Sequence, residues 1–114
     1  MGGESGGLPL FKGTLDLLVL KRLSFGPQHG YGIVSWLEAR SDGAIDVDDS
    51  ALYQALHRLE GRKLVAAEWG VTENNRRARF YTLTSRGRAA LRDDRDTWEQ
   101  YVASVGTLLA REEP

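Results

Sequence analysis

The sequence predicts a mainly α-helical fold that carries a small β-ribbon near its centre. Three observations predict it. Apolar residues recur at helical spacing in four segments, two central segments alternate between apolar and polar residues, and turn-forming residues separate these segments. The chain has 114 residues, of which 41% are hydrophobic, and this size is typical of one packed domain.

Two helices are expected in the first third of the chain, after a flexible, glycine-rich tail at residues 1–9. Thr14 is the expected N-cap of a helix that extends to about Leu23, where Ser24-Phe25-Gly26-Pro27 stops it. A second helix is expected from about His29 to Arg40. The short segment 44–47 is a candidate strand.

A third helix is expected to begin at Asp48-Asp49-Ser50, a strong capping sequence, and to end near Arg62. Its apolar stripe has the spacing i, i+3, i+4, i+7 and is expected to face the core. The stripe consists of Leu52, Ala55, Leu56 and Leu59. The opposite face carries Ser50, Gln54, His57, Arg58 and Gly61, with Tyr53 on the flank.

Two antiparallel strands and a long helix complete the prediction. Val65–Trp69 and Arg79–Leu83 alternate like strands, and the connection between them, residues 70–78, is expected to protrude. Thr84 is the expected cap of a helix over Ser85–Arg111, which would be roughly 40 Å long. Three helices, a hairpin and a further helix form the layout of a winged helix-turn-helix over residues 10–84, followed by a dimerisation helix over residues 85–114.

Composition excludes several classes of protein. A membrane-spanning helix needs roughly 20 apolar residues, and the longest apolar stretch, Leu15–Leu20, is far shorter and contains Asp16. The first residues do not form a secretory signal, so we expect a cytoplasmic protein. Cysteine is absent, and neither the two histidines nor any serine belongs to a recognisable metal or catalytic motif. We expect no metal, no cofactor and no enzymatic activity.

Positive charge is concentrated in the middle of the chain, although the net charge is only −1. Residues 48–88 contain 8 basic and 5 acidic side chains, whereas the segments before and after them are net negative. Arginine suits phosphate because its guanidinium can donate two parallel hydrogen bonds. The alternative is a solvated loop that pairs with the acidic residues Asp93–Asp96. The basic excess lies in Arg76, Arg77, Arg79, Arg86 and Arg88.

In a winged helix, the third helix enters the major groove of DNA and the hairpin follows the adjacent backbone. Gln54 could then bond adenine and Arg58 guanine, whereas Asp48 and Asp49 are expected to turn away and cap the helix. The alternative is an ordinary amphipathic helix with a mixed solvent face. The predicted DNA-binding residues are Lys12, Tyr31, Ser50, Tyr53, Gln54, His57, Arg58, Asn75, Arg76, Arg77 and Arg79.

An apolar seam on the last helix predicts a homodimer, because this helix is too long for one domain of this size to cover. The alternative is packing against the first helix. Trp98 could stack on a planar aromatic ligand near the dimer axis, although such a residue is more often simply core. The predicted interface consists of Leu91, Trp98, Tyr101, Val102, Val105, Leu108 and Leu109.

Four ordered blocks, over about residues 10–105, resemble the PadR-like transcriptional regulators, in particular the short members with one C-terminal helix. The resemblance implies a dimeric bacterial repressor that binds a palindromic operator. Many members of the family are released from DNA by a phenolic or other aromatic compound. Some short members bind flat aromatic drugs against a tryptophan of the last helix, a position that Trp98 occupies here. The blocks are Lys12–Leu20, Gly26–Gly32, Leu52–Glu60 and Arg76–Thr84, followed by Gly87-Arg88.

The sequence departs from the family pattern at three places. Gln54 replaces the usual proline after Leu-Tyr, and Ser50-Ala51 replaces the usual Gly-Ser or similar pair, so the operator cannot be carried over from other members. Lys63 replaces a glycine before the wing strand, and Gly61 is the expected helix C-cap instead. Two further functions stay open: a sensor of aromatic compounds or drugs that acts through the dimer interface, and a winged helix used for protein–protein contact.

Overall fold

The computed structural model describes residues 7–114, so most of the predicted tail lies outside the described residues. It confirms a mainly α fold with a small antiparallel sheet. At the described end of the tail segment, the Leu8 backbone N–H donates to the Ala44 carbonyl at 2.8 Å. The elements, in chain order, are α1 (Thr14–Leu23), β1 (Gln28–His29), α2 (Gly30–Arg40), α3 (Asp49–Gly61), β2 (Val65–Val71), β3 (Arg77–Leu83) and α4 (Ser85–Ala110).

The sheet has three antiparallel strands in the order β1-β3-β2. The expectation of a strand at residues 44–47 is wrong, because the third strand is Gln28–His29, directly before α2. This strand forms two residue pairs with β3, Gln28 with Tyr81 and His29 with Phe80. A two-residue strand has no alternating pattern, so its position depends on β3, which is distant in sequence.

The hairpin β2–β3, called the wing below, is longer than predicted and its loop is shorter. The register continues to the pairs Gly70–Ala78 and Val71–Arg77, so five residues rather than nine connect the strands. Asn75 has φ 61°, and its N–H donates to the Thr72 carbonyl at 2.9 Å. A turn followed by one left-handed residue is a common hairpin connection, and asparagine tolerates that conformation better than most residues.

Side-chain caps begin three of the four helices within residues 7–114. The Asp48 carboxylate accepts from the Ala51 N–H at 2.8 Å, which confirms its predicted capping role. His29 caps α2 by accepting from the Gly32 N–H at 3.1 Å, and Thr84 caps α4 as predicted. The expectation that Thr14 caps α1 is wrong: Thr14 is the first helical residue, and Gly13 precedes it with φ 86° and no side-chain bond.

The expectation that Gly61 caps the end of α3 is also wrong. Gly61 is the last helical residue, and Lys63 takes the left-handed conformation two residues later, with φ 63°. The Lys63 N–H donates to the Glu60 carbonyl and the Leu64 N–H to the Leu59 carbonyl, at 3.0 and 2.9 Å. This pair of bonds is a Schellman motif, whose left-handed position is usually a glycine. The chain therefore keeps the motif with an unfavourable residue in it.

The core lies between the helices and the base of the wing. The predicted stripe of α3 is confirmed, because all four of its residues are buried. The first turns of α4 join this core, with Gly87 buried and Leu91 half-buried. Beyond Leu91 every residue of α4 is exposed. No helix of residues 7–114 is both long enough and apolar enough to cross a membrane.

Candidate nucleic-acid interface

The outer face of α3 gathers five of the predicted DNA-binding residues around one shallow groove. All five side chains are exposed, because the buried stripe of α3 faces the opposite direction. Asp48, at the start of the helix, points its carboxylate at the backbone of α3 and not outward. The groove is bordered by Ser50, Tyr53, Gln54, His57 and Arg58.

A second concave surface, called the wing cleft below, lies between the wing, the start of α2 and Tyr53 of α3, and encloses about 680 Å³. Tyr53 borders both this cleft and the groove on α3, so the two surfaces are continuous. Asn75 does not line the cleft, although its neighbour Asn74 does. Burial raises the pKa of the Tyr81 phenol, which lies at the cleft and is 4% exposed. The predicted residues in the cleft are Tyr31, Tyr53, Arg76, Arg77 and Arg79.

Two of the predicted arginines are paired with carboxylates of this chain. Arg58 binds Asp16 through Nη2–Oδ1 at 2.7 Å and Nε–Oδ2 at 3.3 Å, and this hydrogen bonding raises the pKa of Arg58. Arg79 Nη2 donates to Glu60 Oε2 at 3.0 Å. Because each guanidinium has five N–H donors, both side chains retain donors for a further acceptor.

The other two wing arginines have different surroundings. The Arg77 guanidinium lies 4.7 Å from the centroid of the Trp69 ring, a cation–π arrangement. The Arg76 backbone N–H donates to Thr72 Oγ1 at 3.2 Å, which holds the end of the loop. No salt bridge of Arg76 or Arg77 occurs within residues 7–114. The tip of the wing therefore presents two arginines that form no salt bridge within residues 7–114.

Lys12 lies away from the wing, just before α1. It borders a groove that also contains Asp16 and Arg58, so it lies near the α3 surface but not in the wing cleft. It also borders a separate cavity of about 550 Å³ between α1 and α4. Lys12 therefore borders two separate surfaces, the groove that contains Asp16 and Arg58 and the cavity between α1 and α4.

The cavity between α1 and α4, called the α1–α4 cavity below, contains the predicted ligand-binding residue Trp98. The Trp98 and Tyr101 rings are nearly parallel, with centroids 6.1 Å apart and an interplanar angle of 14°. Two flat aromatic rings beside an open space suit a flat apolar guest. The cavity is lined by Phe11, Lys12, Gly13, Thr14, Leu17, Asp94, Thr97, Trp98 and Tyr101.

The predicted dimer seam lies on the exposed part of α4, apart from Leu91. Leu91 packs against the core of its own chain, which includes Val19, Leu20 and Leu23 of α1. The remaining members leave a continuous apolar surface facing solvent. They are Trp98 at 36% exposure, Val105 at 36%, Val102 at 48%, Tyr101 at 52%, Leu108 at 69% and Leu109 at 80%.

Comparison with known proteins decides the family. The profile of the Transcriptional regulator PadR-like family matches residues 19–93, which extend from α1 through the wing into α4. The chain belongs to this family. It is therefore a DNA-binding transcriptional regulator and not an enzyme.

Relatives with similar sequences and folds support the assignment. "Transcriptional regulator Rv3488" of Mycobacterium tuberculosis is 33% identical over 95 residues, 82% of this chain and 84% of the relative. The crystal structure of a PadR family transcriptional regulator from Eggerthella lenta has 33% identity and a TM-score of 0.75, and the match covers 89% of this chain and 86% of that one. Bacillus subtilis PadR in complex with operator DNA has 22% identity and a TM-score of 0.63, over 90% of this chain and 50% of that one. The last similarity extends to the fold alone.

Among the residues of this PadR-like surface that the sequence-based prediction omitted, Trp69 has the most distinctive contact. Trp69 lines the wing cleft and carries Arg77 on its ring, although the strand pattern placed it on a face with Val65 and Ala67. Val65 is buried, whereas Trp69 is 61% exposed, because the same face of β2 leaves the core as the wing extends outward. A signal was present in the sequence, since an arginine-rich strand beside an isolated tryptophan favours stacking.

Proposed function

We propose that the protein is a homodimeric repressor that reads a palindromic operator with α3 and contacts the adjacent backbone with the wing. The observation that carries this proposal is the continuous surface on which Tyr53 joins the outer face of α3 to the arginine-lined wing cleft. A helix with a polar outer face beside a basic ribbon matches the docking geometry of winged helices.

The residue types on α3 suit direct contact with base edges and phosphates. Gln54, near the middle of the exposed face, can bond adenine through its amide, and His57 can donate to a base or a phosphate. Ser50 lies in the first turn, where unpaired backbone N–H groups attract phosphate. Arg58 donates to Asp16 through Nε and Nη2, and its remaining N–H groups are available to DNA. Lys12 and Tyr31 would contact phosphates at the edges of this surface.

The exposed seam of α4 supports the dimer. Single exposed apolar residues are common, but a stripe of six on one helix marks a contact surface. A two-fold axis along this stripe would place two α3 helices about one turn of DNA apart, roughly 34 Å. Sedimentation equilibrium should give twice the mass of the chain, and a monomer at micromolar concentration would contradict the dimer.

DNA binding is tested by selecting bound sequences from a random double-stranded library and measuring their affinities by fluorescence anisotropy. The double variant Arg76→Ala/Arg77→Ala should bind every sequence more weakly and lower the salt dependence, because two phosphate contacts are lost. Gln54→Ala should instead relax the sequence preference at one position of each half-site. Arg111→Ala, beyond the end of α4, removes one positive charge away from the wing and is the matched control for each of the single variants Arg76→Ala and Arg77→Ala.

Two results would contradict this assignment. Unchanged affinity and salt dependence in the double arginine variant would show that the wing does not contact DNA. The absence of any selected sequence at moderate salt would instead favour a winged helix that serves protein–protein contact. Repression is tested separately, with a reporter gene placed behind the selected operator, whose expression should fall when the protein is present.

The α1–α4 cavity favours a second function, the sensing of a planar aromatic compound that releases the repressor from DNA. Trp98 and Tyr101 supply flat apolar surfaces, and Asp94 supplies a carboxylate at the same cavity. Titration with a panel of planar aromatic compounds should quench tryptophan fluorescence, and Trp98→Leu should abolish the quenching. Quenching that persists in Trp98→Leu would assign the signal to another tryptophan and contradict this site.

A further inference from the structure

The exposed aromatic residue on the wing needs an explanation, because it does not serve the core. Trp69 is 61% exposed, whereas Val65, at the base of the same strand, is buried. In the register of the hairpin, Trp69 lies opposite Arg79, and Arg77 lies two pairs closer to the tip, on the same face of the hairpin. All three side chains line the wing cleft. Trp69 therefore faces the surface that the proposed function assigns to DNA.

The stacking of Arg77 on Trp69 determines which part of the guanidinium stays available. The Arg77 Cζ atom lies over the face of the Trp69 ring, 4.7 Å from its centroid. The N–H donors of a guanidinium point outward in the plane of the group. A stacked arginine is thus ordered and can still donate two parallel bonds to a phosphate. Arg79, by contrast, already donates to Glu60.

The charges that line the wing cleft agree with a phosphate-binding role for Arg77, which forms no salt bridge within residues 7–114, rather than for Arg79, which is bonded to Glu60. Glu73, in the hairpin loop, also borders the cleft and is the acidic side chain among its lining residues. Arg76, Arg77 and Arg79 outnumber it, so the cleft keeps a positive balance. An ordered arginine loses less side-chain entropy when it binds, which raises its contribution to affinity.

We propose that Trp69 is a positioning residue that holds the Arg77 guanidinium in the wing cleft, ready to bond a phosphate of the operator backbone. This inference rests on the proposed function. It assigns to Trp69 an effect on DNA affinity that is transmitted through Arg77 and that requires an aromatic ring and not merely an apolar side chain.

The test measures the affinity and salt dependence of the full chain for its selected operator. Trp69→Leu should weaken binding about 3- to 10-fold, whereas Trp69→Phe should stay within about 2-fold of the wild type because a ring remains. In the Arg77→Ala background, Trp69→Leu should have no further effect beyond about 1.5-fold, since the group that it positions is gone. Phe25→Ala is the matched control, because Phe25 is 64% exposed and also carries a cation, Lys21 Nζ at 4.9 Å, but lies outside the cleft.

The outcomes separate this inference from the function on which it rests. Equal binding by the wild type and Trp69→Leu would overturn the positioning role and leave the DNA-binding wing intact. It would also be overturned if Trp69→Phe and Trp69→Leu weakened DNA binding equally. The same holds if Trp69→Leu weakened binding in the Arg77→Ala background as much as it does in the wild type. Failure of the wild type to bind any operator would overturn the proposed function itself. Thermal unfolding of each variant checks that the fold is retained.

Discussion

Gly87 lies in the first turn of α4, against the point where the wing begins, and Gly87→Ala tests how tightly these elements are joined. A Cβ added to Gly87 would lie 2.7 Å from Leu83 Cδ1 and 3.0 Å from the Leu64 carbonyl carbon, and it would overlap the Leu64 carbonyl oxygen. The Leu83 side chain can change rotamer, but the Leu64 carbonyl belongs to the backbone at the base of the wing. Relief therefore requires α4 and the wing base to move apart.

This movement would break the contacts of Thr84, which caps α4. Thr84 Oγ1 accepts from the Gly87 N–H at 3.0 Å and lies 2.8 Å from the Lys63 carbonyl oxygen and 3.0 Å from that of Leu64. Overpacking costs about 1–3 kcal/mol and a lost cap about 1 kcal/mol, whereas alanine gains up to about 1 kcal/mol in helix propensity. We expect a net loss of about 2 kcal/mol in the free energy of unfolding, or roughly 8–16 °C in Tm.

Urea denaturation followed by circular dichroism measures this effect, at equal chain concentrations because a dimer gains stability with concentration. Gly106→Ala is the matched control in the same helix, since nothing lies within 4 Å of its added Cβ, and it should stabilise by about 0.5–1 kcal/mol. Gly61→Ala, which is equally open, provides a control outside the proposed dimer seam. A Gly87→Ala protein as stable as the wild type would refute the reasoning.

Three further changes have expected outcomes. Lys63→Gly should stabilise by about 1 kcal/mol in urea denaturation, because glycine adopts φ 63° without strain, and Lys63→Ala should not. Asp16→Asn should lower the free energy of unfolding by less than about 1 kcal/mol, since Arg58 is half exposed. It should also raise the affinity for DNA of any sequence a few-fold and make that affinity more dependent on salt. Unchanged affinity would show that Arg58 does not approach DNA. Val102→Glu should convert the proposed dimer to a monomer in sedimentation equilibrium, whereas a surviving dimer would place the interface elsewhere.

The sequence predicted those parts of the fold that depend on local periodicity. The stripe of α3 from Leu52 to Leu59 and the capping residues Asp48 and Thr84 were predicted because neighbours along the chain determine them. The strand Gln28–His29 was not, since its only evidence is pairing with residues near position 80. Gly61 was assigned as a cap by residue type, but the Schellman bonds place the left-handed position at Lys63.

The candidate site was predictable in its location and less so in its contacts. The residue types on α3 and the arginines of the wing identified the surface, because exposure of a helix face follows from the burial of its opposite face. The pairing of Arg58 with Asp16 joins residues 42 positions apart in sequence, and no local pattern reports it. The exposure of Trp69 likewise depends on where β2 leaves the core, which only the packed structure determines.

The junction between the wing and α4 consists of a single residue. β3 ends at Leu83 and α4 begins at Ser85, and the residue between them is bonded to the base of the other wing strand. In a dimer formed through α4, the separation of the two DNA-reading helices would thus be a fixed length of the assembly, with no linker to absorb a change in operator spacing. One inserted base pair would shift a half-site by about 3.4 Å along the DNA axis and also rotate it. Such a regulator would depend on the spacing between half-sites as strictly as on their base sequence.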